Sequence, residues 1–367
     1  MATNYRSDAE RVSLFADELP GLRAFEPTDD QQVKSAARRS NIEVRSYRLL
    51  DSHAIGQLPH RYELQHPESD TDQPGTTALV TRRLLAGDTS NNPLFVAIER
   101  TSREILGALQ CVQRESDDRW ILHYLRCSEA VAHENPVPIA LLEHSIGQAG
   151  WFGARRIMAR SQVDSPLTGA LRATGFSAFT HESVYSLPSG PVGEINRSVR
   201  TQENSDVWGI HQLYLQTTPR DVQGAEALTS HEWDLDLEGR SKRGWMIVSD
   251  SGLIAYVRVR TSRKCHQLDA MFAPDAHEEL RSLLSAVFAV LRNESPRRTF
   301  VSVRGYQQEL GTILTNVGFE LDIDQLMMVR YTTAPVPARG AEAFELLQPA
   351  EADPRRVPSY FVRDVHE

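Results

Sequence analysis

The first 40 residues show no sustained apolar period, whereas a regular pattern begins at residue 41. IEVRSYRLL (42–50) alternates as a half-buried strand does. A broken region follows, in which PESDTDQPGTT (67–77) reads as a loop. LFVAIER (94–100) and ILGALQCVQR (105–114) form a strand pair around TSRE, and WILHYLRC (120–127) is a third strand. HENPVPIALLEHSI (133–146) opens a helix carried by Ile139, Leu142, Ile146 and Ala149. RRIMARSQV (155–163) is a strand. LTGALRATGF (167–176) is a short helix that stops at a glycine, as helix ends favour. SVYSL (183–187) is the strand that closes this series.

The order then restarts. EINRSVRT (194–201) corresponds to the first strand, and VWGIHQLYLQTT (207–218) reads as a helix. GWMIVSD (244–250), LIAYVRVR (253–260) and CHQLDAMF (265–272) are three strands. HEELRSLLSAVFAVLRN (277–293) is a strongly amphipathic helix, whose stripe Leu280, Leu283, Leu284, Val287 and Leu291 reads as core. RRTFVSVRGY (297–306) is a strand, QELGTILTNVGF (308–319) a helix and DQLMMVRYT (324–332) a last strand. Gly175-Phe176 and Gly318-Phe319 stand 143 residues apart, as do Leu171 and Leu314. Leu141-Leu142 and Leu283-Leu284 are offset by 142, and Gly107 and Gly252 by 145. Ordered matches at nearly one spacing predict two copies of one domain. The boundaries expected are an extension over 1–40, repeat 1 over 41–190, repeat 2 over 191–333 and a Pro/Ala/Glu-rich tail over 334–367. In the extension, Val12, Leu14, Phe15 and Leu19 fit a short docking helix or a solvated segment. In the tail, PSYFVRDVHE offers apolar residues for docking on a protein partner or stays disordered.

The repeated order of strand, helices, three strands, long helix, strand, short helix and strand resembles the GCN5-related N-acetyltransferase (GNAT) superfamily. In repeat 1 the resemblance rests on LLEHSIGQAGWFGARRIMARSQVDSPLTGALRATGFSAFTHESVYSL. In repeat 2 it rests on LRSLLSAVFAVLRNESPRRTFVSVRGYQQELGTILTNVGFELDIDQLMMVR. It implies an α/β (α+β) fold of two tandem GNAT-like domains, each a mixed, mostly antiparallel sheet flanked by helices. It also implies that an acyl-CoA lies in a V-shaped gap between the fourth and fifth strands, its pantetheine arm paired with the fourth-strand backbone. The loop before the long helix, typically R/Q-x-x-G-x-G/A, would hold the pyrophosphate with backbone N–H groups and the helix dipole.

Both loops depart from that pattern. In repeat 1 the glycine positions fall near Glu134, Pro136 and Pro138, and the basic position near His133. Proline has no N–H to offer an anion, although it sits comfortably in a first helical turn. In repeat 2 the corresponding residues are Ala276, Glu278 and Leu280, with Asp275 at the basic position; the acids suit a helix start and compete with an anion there. The family's frequent tyrosine is Leu171 or Leu314 here. Its frequent asparagine is Asp164, equally placed to cap the next helix, or Gln307.

Candidate chemistry remains at a few positions. His123, Tyr124 and Leu125 lie on the fourth strand of repeat 1 and Glu129 at its end; a histidine there could act as general base. Asp269 holds the similar place in repeat 2, and Arg304 and Tyr306 follow its fifth strand. His123, Glu129, Asp269 and Tyr306 are the catalytic candidates. Tyr124, Leu125, His133, Asp164 and Arg304 are the candidates for holding the donor. Each has a structural alternative: an exposed sheet histidine, a surface Arg-Tyr pair or a helix cap.

Composition narrows the classes. The 367 residues carry 49 acids against 40 bases, a net charge of −9, and no basic stripe; a general nucleic-acid binder is not expected, and a transferase using aminoacyl-tRNA fits least well. No run of about 18 apolar residues suggests a membrane span, and the N-terminus has no apolar signal core. Cys111, Cys127 and Cys265 have no metal-site spacing, so no metal is expected and a cytoplasmic, reducing setting fits. The expected function is acyl-CoA-dependent N-acyl transfer, with acetyl-CoA as co-substrate and a small-molecule amine or peptide as acceptor. The alternative is a non-catalytic GNAT-like binding or scaffold protein that has lost acyl-CoA. Donor binding separates the two.

Overall fold

The computed structural model describes residues 41–64, 92–113, 118–131, 135–188, 193–194, 198–235, 242–250, 252–262, 265–294 and 297–332. The described residues up to 332 form one compact unit, and 333–367 lie outside the described residues, as does the extension 1–40.

Repeat 1 contains β1 (Ile42–Ser46), α1 (Ser52–Gln57), β2 (His60–Glu63), β3 (Leu94–Glu99), β4 (Ile105–Gln113), β5 (Arg119–Cys127), α2 (Pro136–Trp151), β6 (Arg156–Gln162), α3 (Leu167–Ala173) and β7 (Ser177–Leu187). Repeat 2 contains β8 (Arg200–Thr201), α4 (Val207–Thr217), α5 (Arg220–Glu226), β9 (Lys242–Ser249), β10 (Gly252–Thr261), β11 (Cys265–Phe272), α6 (His277–Glu294), β12 (Arg298–Arg304), α7 (Gln308–Asn316) and β13 (Glu320–Tyr331). The elements α1, β2 and α5 have no counterpart in the sequence-based expectation. The strand expected over 194–201 is confined to Arg200–Thr201 among the described residues.

All described strands join one sheet, in the order β1-β3-β4-β5-β6-β13-β7-β12-β11-β10-β9-β8, with β2 paired to β5 off this path. The last strand of each repeat is therefore exchanged. β13 of repeat 2 lies between β6 and β7 of repeat 1, and β7 lies between β13 and β12. The cores follow the exchange: Leu326 and Met328 of β13 are buried with Leu141, Leu142 and Phe176 of repeat 1, and Tyr185 and Leu187 of β7 pack on the core of repeat 2. The two repeats thus share one central sheet.

Local chemistry explains the helices. The Asn135 side chain accepts from the Val137 N–H at 3.0 Å and caps α2, whose first turn carries Pro136 and Pro138. Both short helices α3 and α7 exit through a left-handed glycine, Gly175 (φ 84°) and Gly318 (φ 98°). In each, the phenylalanine N–H after that glycine returns to the leucine carbonyl at 3.0 Å, Phe176 to Leu171 and Phe319 to Leu314. A second trace of duplication is an Arg-x5-Asp clamp. Arg45 grips Asp51 with two bonds (2.7 and 2.8 Å) and Arg200 grips Asp206 likewise (2.7 and 2.6 Å). Each carboxylate also accepts a backbone N–H at 2.7 Å, from Arg48 and from Glu203.

Helices α2 and α6 cover one face of the sheet, which we term the back. The front face carries α1 over β3 and β4, and α4 with the turn at Trp233 over β9 to β11.

Candidate functional site

In repeat 1, β5 and β6 pair in parallel over only Arg119–Ile121 against Arg156–Met158 and then diverge. The divergence begins at a β-bulge: Gln110 opposes Tyr124 and Cys111 opposes Leu122, which leaves His123 unopposed. Such an extra residue bends and twists the strand that carries it. The resulting gap is occupied by the chain itself. β2 pairs with the far half of β5, Glu63 opposite Tyr124 and Tyr62 opposite Leu125. Leu64, fully buried, then bridges the gap: its N–H donates to the His123 carbonyl and its carbonyl accepts from the Arg160 N–H, both at 2.9 Å.

The backbones of Tyr124 and Leu125, nominated to hold a donor, are therefore paired within the chain. Tyr124 is buried with the Arg61 guanidinium 5.1 Å from its ring, and Leu125 is a core residue. The His123 ring stands edge-on to Tyr124 at 5.7 Å, and Glu129 is exposed beyond the strand. His133 lies outside the described residues. Asp164 is exposed and caps nothing; the Ser165 hydroxyl, 3.3 Å from the Leu167 N–H, stands at the start of α3 instead. At the start of α2, Pro136 and Pro138 lack the N–H, Asn135 takes that of Val137, and all three first-turn side chains are buried. Almost nothing is left there to bind an anion.

Repeat 2 closes its gap differently. β11 has no bulge and stays paired with β12 for five rows, from Cys265–Arg298 to Asp269–Ser302. The next free carbonyl, Ala270, accepts from the Gln307 side chain at 2.8 Å, and Gln307 in turn accepts from the Arg304 N–H at 3.1 Å. Glu278 and Glu279 occupy the first turn of α6.

The polar chemistry of the fold gathers instead on the front face where the repeats meet. Glu182, wholly buried on β7, accepts from Arg160 at 2.8 Å and from Gln325 at 2.6 Å, and pairs with Arg304 at 3.3 Å. Arg304 also meets Glu226 at 3.4 Å, whose carboxylate accepts from the Tyr214 hydroxyl at 3.0 Å. Arg119 donates to the Glu226 carbonyl (2.9 Å) and to the Glu232 carboxylate (3.1 Å). Asp269 takes Arg258 at 3.4 Å and Arg260 at 3.1 Å, while Arg258 also lies over the Trp233 ring. Ala227, next to Glu226, is held left-handed at φ 42°, a strained state for a residue with a Cβ.

Burial works against the Arg304 charge, yet Glu182 and Glu226 hold its pKa above the ordinary arginine value. Burial and then Glu226 push the Tyr214 hydroxyl well up, so it remains a donor. Tyr306, on the turn after β12, is raised by burial and pulled back in part by Arg304. Of the sequence candidates, Asp269, Arg304 and Tyr306 thus share one charged neighbourhood. Arg160, Glu182, Tyr214, Glu226 and Arg258 were not foreseen. The signal for Arg160 and Glu182 was faint, a single charge inside each of the apolar strands IMARS and FTHESVY, and Tyr214, Glu226 and Arg258 carried no local signal.

The mixed, mostly antiparallel sheet flanked by helices is the fold of the GCN5-related N-acetyltransferases. The protein is similar over 81% of its length to 97% of a GCN5-related N-acetyltransferase from Sphaerobacter thermophilus, at a TM-score of 0.52 and 12% identity. At lower scores it is similar to a tandem GNAT protein from the clavulanic acid biosynthesis pathway, solved without AcCoA (TM-score 0.49, 14% identity, 80% of this chain and 100% of that one). It is also similar to a putative acetyltransferase from Pyrococcus horikoshii (0.47, 8%, 80% and 90%). No protein-family model matches the sequence, and no curated protein matches it. At these identities the likeness is one of fold, and fold does not fix function. Among the described residues no group of side chains is arranged to hold a metal ion, and no helix is long and apolar enough to cross a membrane.

Proposed function

We propose that this chain is a GNAT-fold protein that does not use acyl-CoA in its first repeat, and that it works as a non-catalytic binding protein through the polar front face between its repeats. The observation that carries this reading is Leu64, hydrogen-bonded to both His123 and Arg160 in the gap where a pantetheine arm would have to pair. A ligand entering there must displace β2, expose the wholly buried Leu64 side chain and break two strand bonds. Each term costs on the order of 1–3 kcal/mol. The pyrophosphate site gives little back, because two of its N–H groups are absent and a third is capped. Three buried free thiols, Cys111, Cys127 and Cys265, suit a reducing cytoplasm, and the tail 334–367 remains open to a protein partner.

A second reading, N-acyl transfer by repeat 2 from acetyl-CoA to a small amine or peptide, is favoured by one observation. Asp269, Arg304 and Tyr306 stand together where β11 and β12 end, and no strand among the described residues fills that end. Titration calorimetry of acetyl-CoA and CoA into the full chain, with thiol release measured against a panel of amines, decides between them. The first reading expects no heat up to about 1 mM and no thiol. Micromolar binding with amine-dependent thiol release overturns it in favour of the second.

A further inference from the structure

The front face of repeat 2 holds an unusual set of buried donors. The strand registers place Arg258, Asp269 and Ser302 in one row across β10, β11 and β12, and Arg260, Gln267 and Phe300 in the next. Strand spacing and rise put these two rows in a patch about 7 Å by 10 Å. Within it, Ser302 Oγ, Gln267 Nε2, Arg258 Nε and Arg260 Nε are all buried and make no hydrogen bond among the described residues. The Ser302 and Gln267 residues are 3% and 4% exposed. The Nε groups of Arg45, Arg156 and Arg330 are buried and unpaired as well, but here four such atoms share two rows of one sheet face, although buried polar groups are usually paired. All four can donate, and three can only donate.

The four donor atoms themselves are covered, while the Arg260 and Asp269 side chains beside them are 27% and 24% exposed and reach solvent. Both guanidinium groups spend an Nη on Asp269 and leave Nε unused, so each retains part of the planar fork that matches a carboxylate. Asp269, Glu182, Glu226 and Glu232 stand close by and oppose a dianion, whereas a single negative charge is balanced by the five neighbouring guanidinium groups of Arg119, Arg160, Arg258, Arg260 and Arg304.

We propose that this patch is the recognition site for the carboxylate of a small organic monoacid, held by Ser302, Gln267 and the Nε groups of Arg258 and Arg260. The proposal rests on the binding-protein reading above and supplies its ligand class. It is tested on the full chain by calorimetry with C2–C6 aliphatic monocarboxylates, their uncharged amides and inorganic phosphate, beside acetyl-CoA. The expected result is saturable binding of at least one carboxylate and none of its amide, weakened at least tenfold by Ser302→Ala and by Gln267→Leu. These variants remove orphan donors, so the ligand-free protein should be no less stable than the parent, and lost binding cannot then be ascribed to unfolding. Phosphate binding without carboxylate binding overturns the ligand class, and carboxylate binding untouched by both variants overturns the site. Binding of no anion overturns the proposal, while leaving the acyl-CoA reading to be judged by the acetyl-CoA arm alone.

Discussion

Leu64 donates its backbone N–H to the His123 carbonyl at 2.9 Å, and so a residue outside any strand pattern occupies the place where β5 and β6 diverge. The bulge at His123 and the three-row limit on β5–β6 pairing create an opening, and the same chain fills it. The consequence is dynamic as well as static: β2 is either a permanent strand or a displaceable one.

Hydrogen exchange distinguishes these. The Leu64 and Arg160 amides both donate within the plug, and Leu64 is part of the repeat 1 core. A permanent strand exchanges only through global or near-global opening, so both amides are expected to be protected to the level of Leu122 and Ile157. Rapid exchange of Leu64 and Arg160 against slow exchange of those core amides would instead mark β2 as a local flap.

Restoring glycines to the first turn of α2 should not restore a donor site. Pro136→Gly with Pro138→Gly returns two N–H groups, but Asn135 still caps Val137 and β2 still fills the gap. Calorimetry of the double variant is expected to show no CoA binding, with a loss of about 1–2 kcal/mol in stability because two rigid residues become the most flexible kind. Micromolar CoA binding by the double variant would mean that the prolines alone had closed the site.

The legible part of this molecule was whatever its apolar period dictated. Strands such as Cys265–Phe272 and the helix from His277 stand where alternation and the Leu280–Leu291 stripe placed them. The segment HRYE at 60–63 carried no such period, because three of its four side chains are polar. It is a strand through backbone pairing with β5 and through the burial of Leu64 beside it. The exchange of β7 and β13 was equally silent, since a last strand has the same pattern whichever half of the sheet receives it. For the same reason Glu182 could not be assigned a role: its partners Arg304 and Gln325 come from the other repeat, and pairing across a sheet of this length leaves no local spacing to read.

The Arg-x5-Asp clamps predict an acid limb in stability. Burial alone would raise the Asp51 pKa, but the Arg45 guanidinium and the Arg48 N–H lower it overall. The Arg200 hydrogen bonds likewise lower that of Asp206 against its burial. A carboxylate with a depressed pKa stabilises the fold above its unfolded value, near 4 by the usual order of magnitude, and loses that contribution as pH falls through the folded value. The unfolded chain binds more protons in that window, so stability should fall on acidification from about pH 4. In urea titrations Asp51→Asn is expected to be less stable than the parent at pH 7, with the difference shrinking below about pH 4. A difference that stays constant with pH would show that the clamp acts by shape rather than by charge.

Removing the Glu182 carboxylate tests whether the repeats are one folding unit. Glu182→Ala leaves Arg160 and Arg304 both mostly buried and facing a lost partner, since their side chains are only 14% and 17% exposed. Breaking a buried pair from one side costs about 3–5 kcal/mol, well beyond what an exposed pair contributes. The damage should not stay in repeat 1. Glu182 sits on β7, which lies between two strands of repeat 2, and Gln325 and Arg304 reach it from β13 and β12. With the last strands exchanged, neither repeat can keep its core without the other. Urea unfolding followed through tryptophan fluorescence is therefore expected to show one transition in the parent and one, at lower urea, in Glu182→Ala. With the other tryptophans replaced by phenylalanine, Trp120 in the core of repeat 1 and Trp245 in that of repeat 2, each kept alone, should report one transition apiece at matching urea within the error of the substitutions. Two separated transitions in the variant would show that the repeats fold independently and that the exchanged strands contribute little to their coupling.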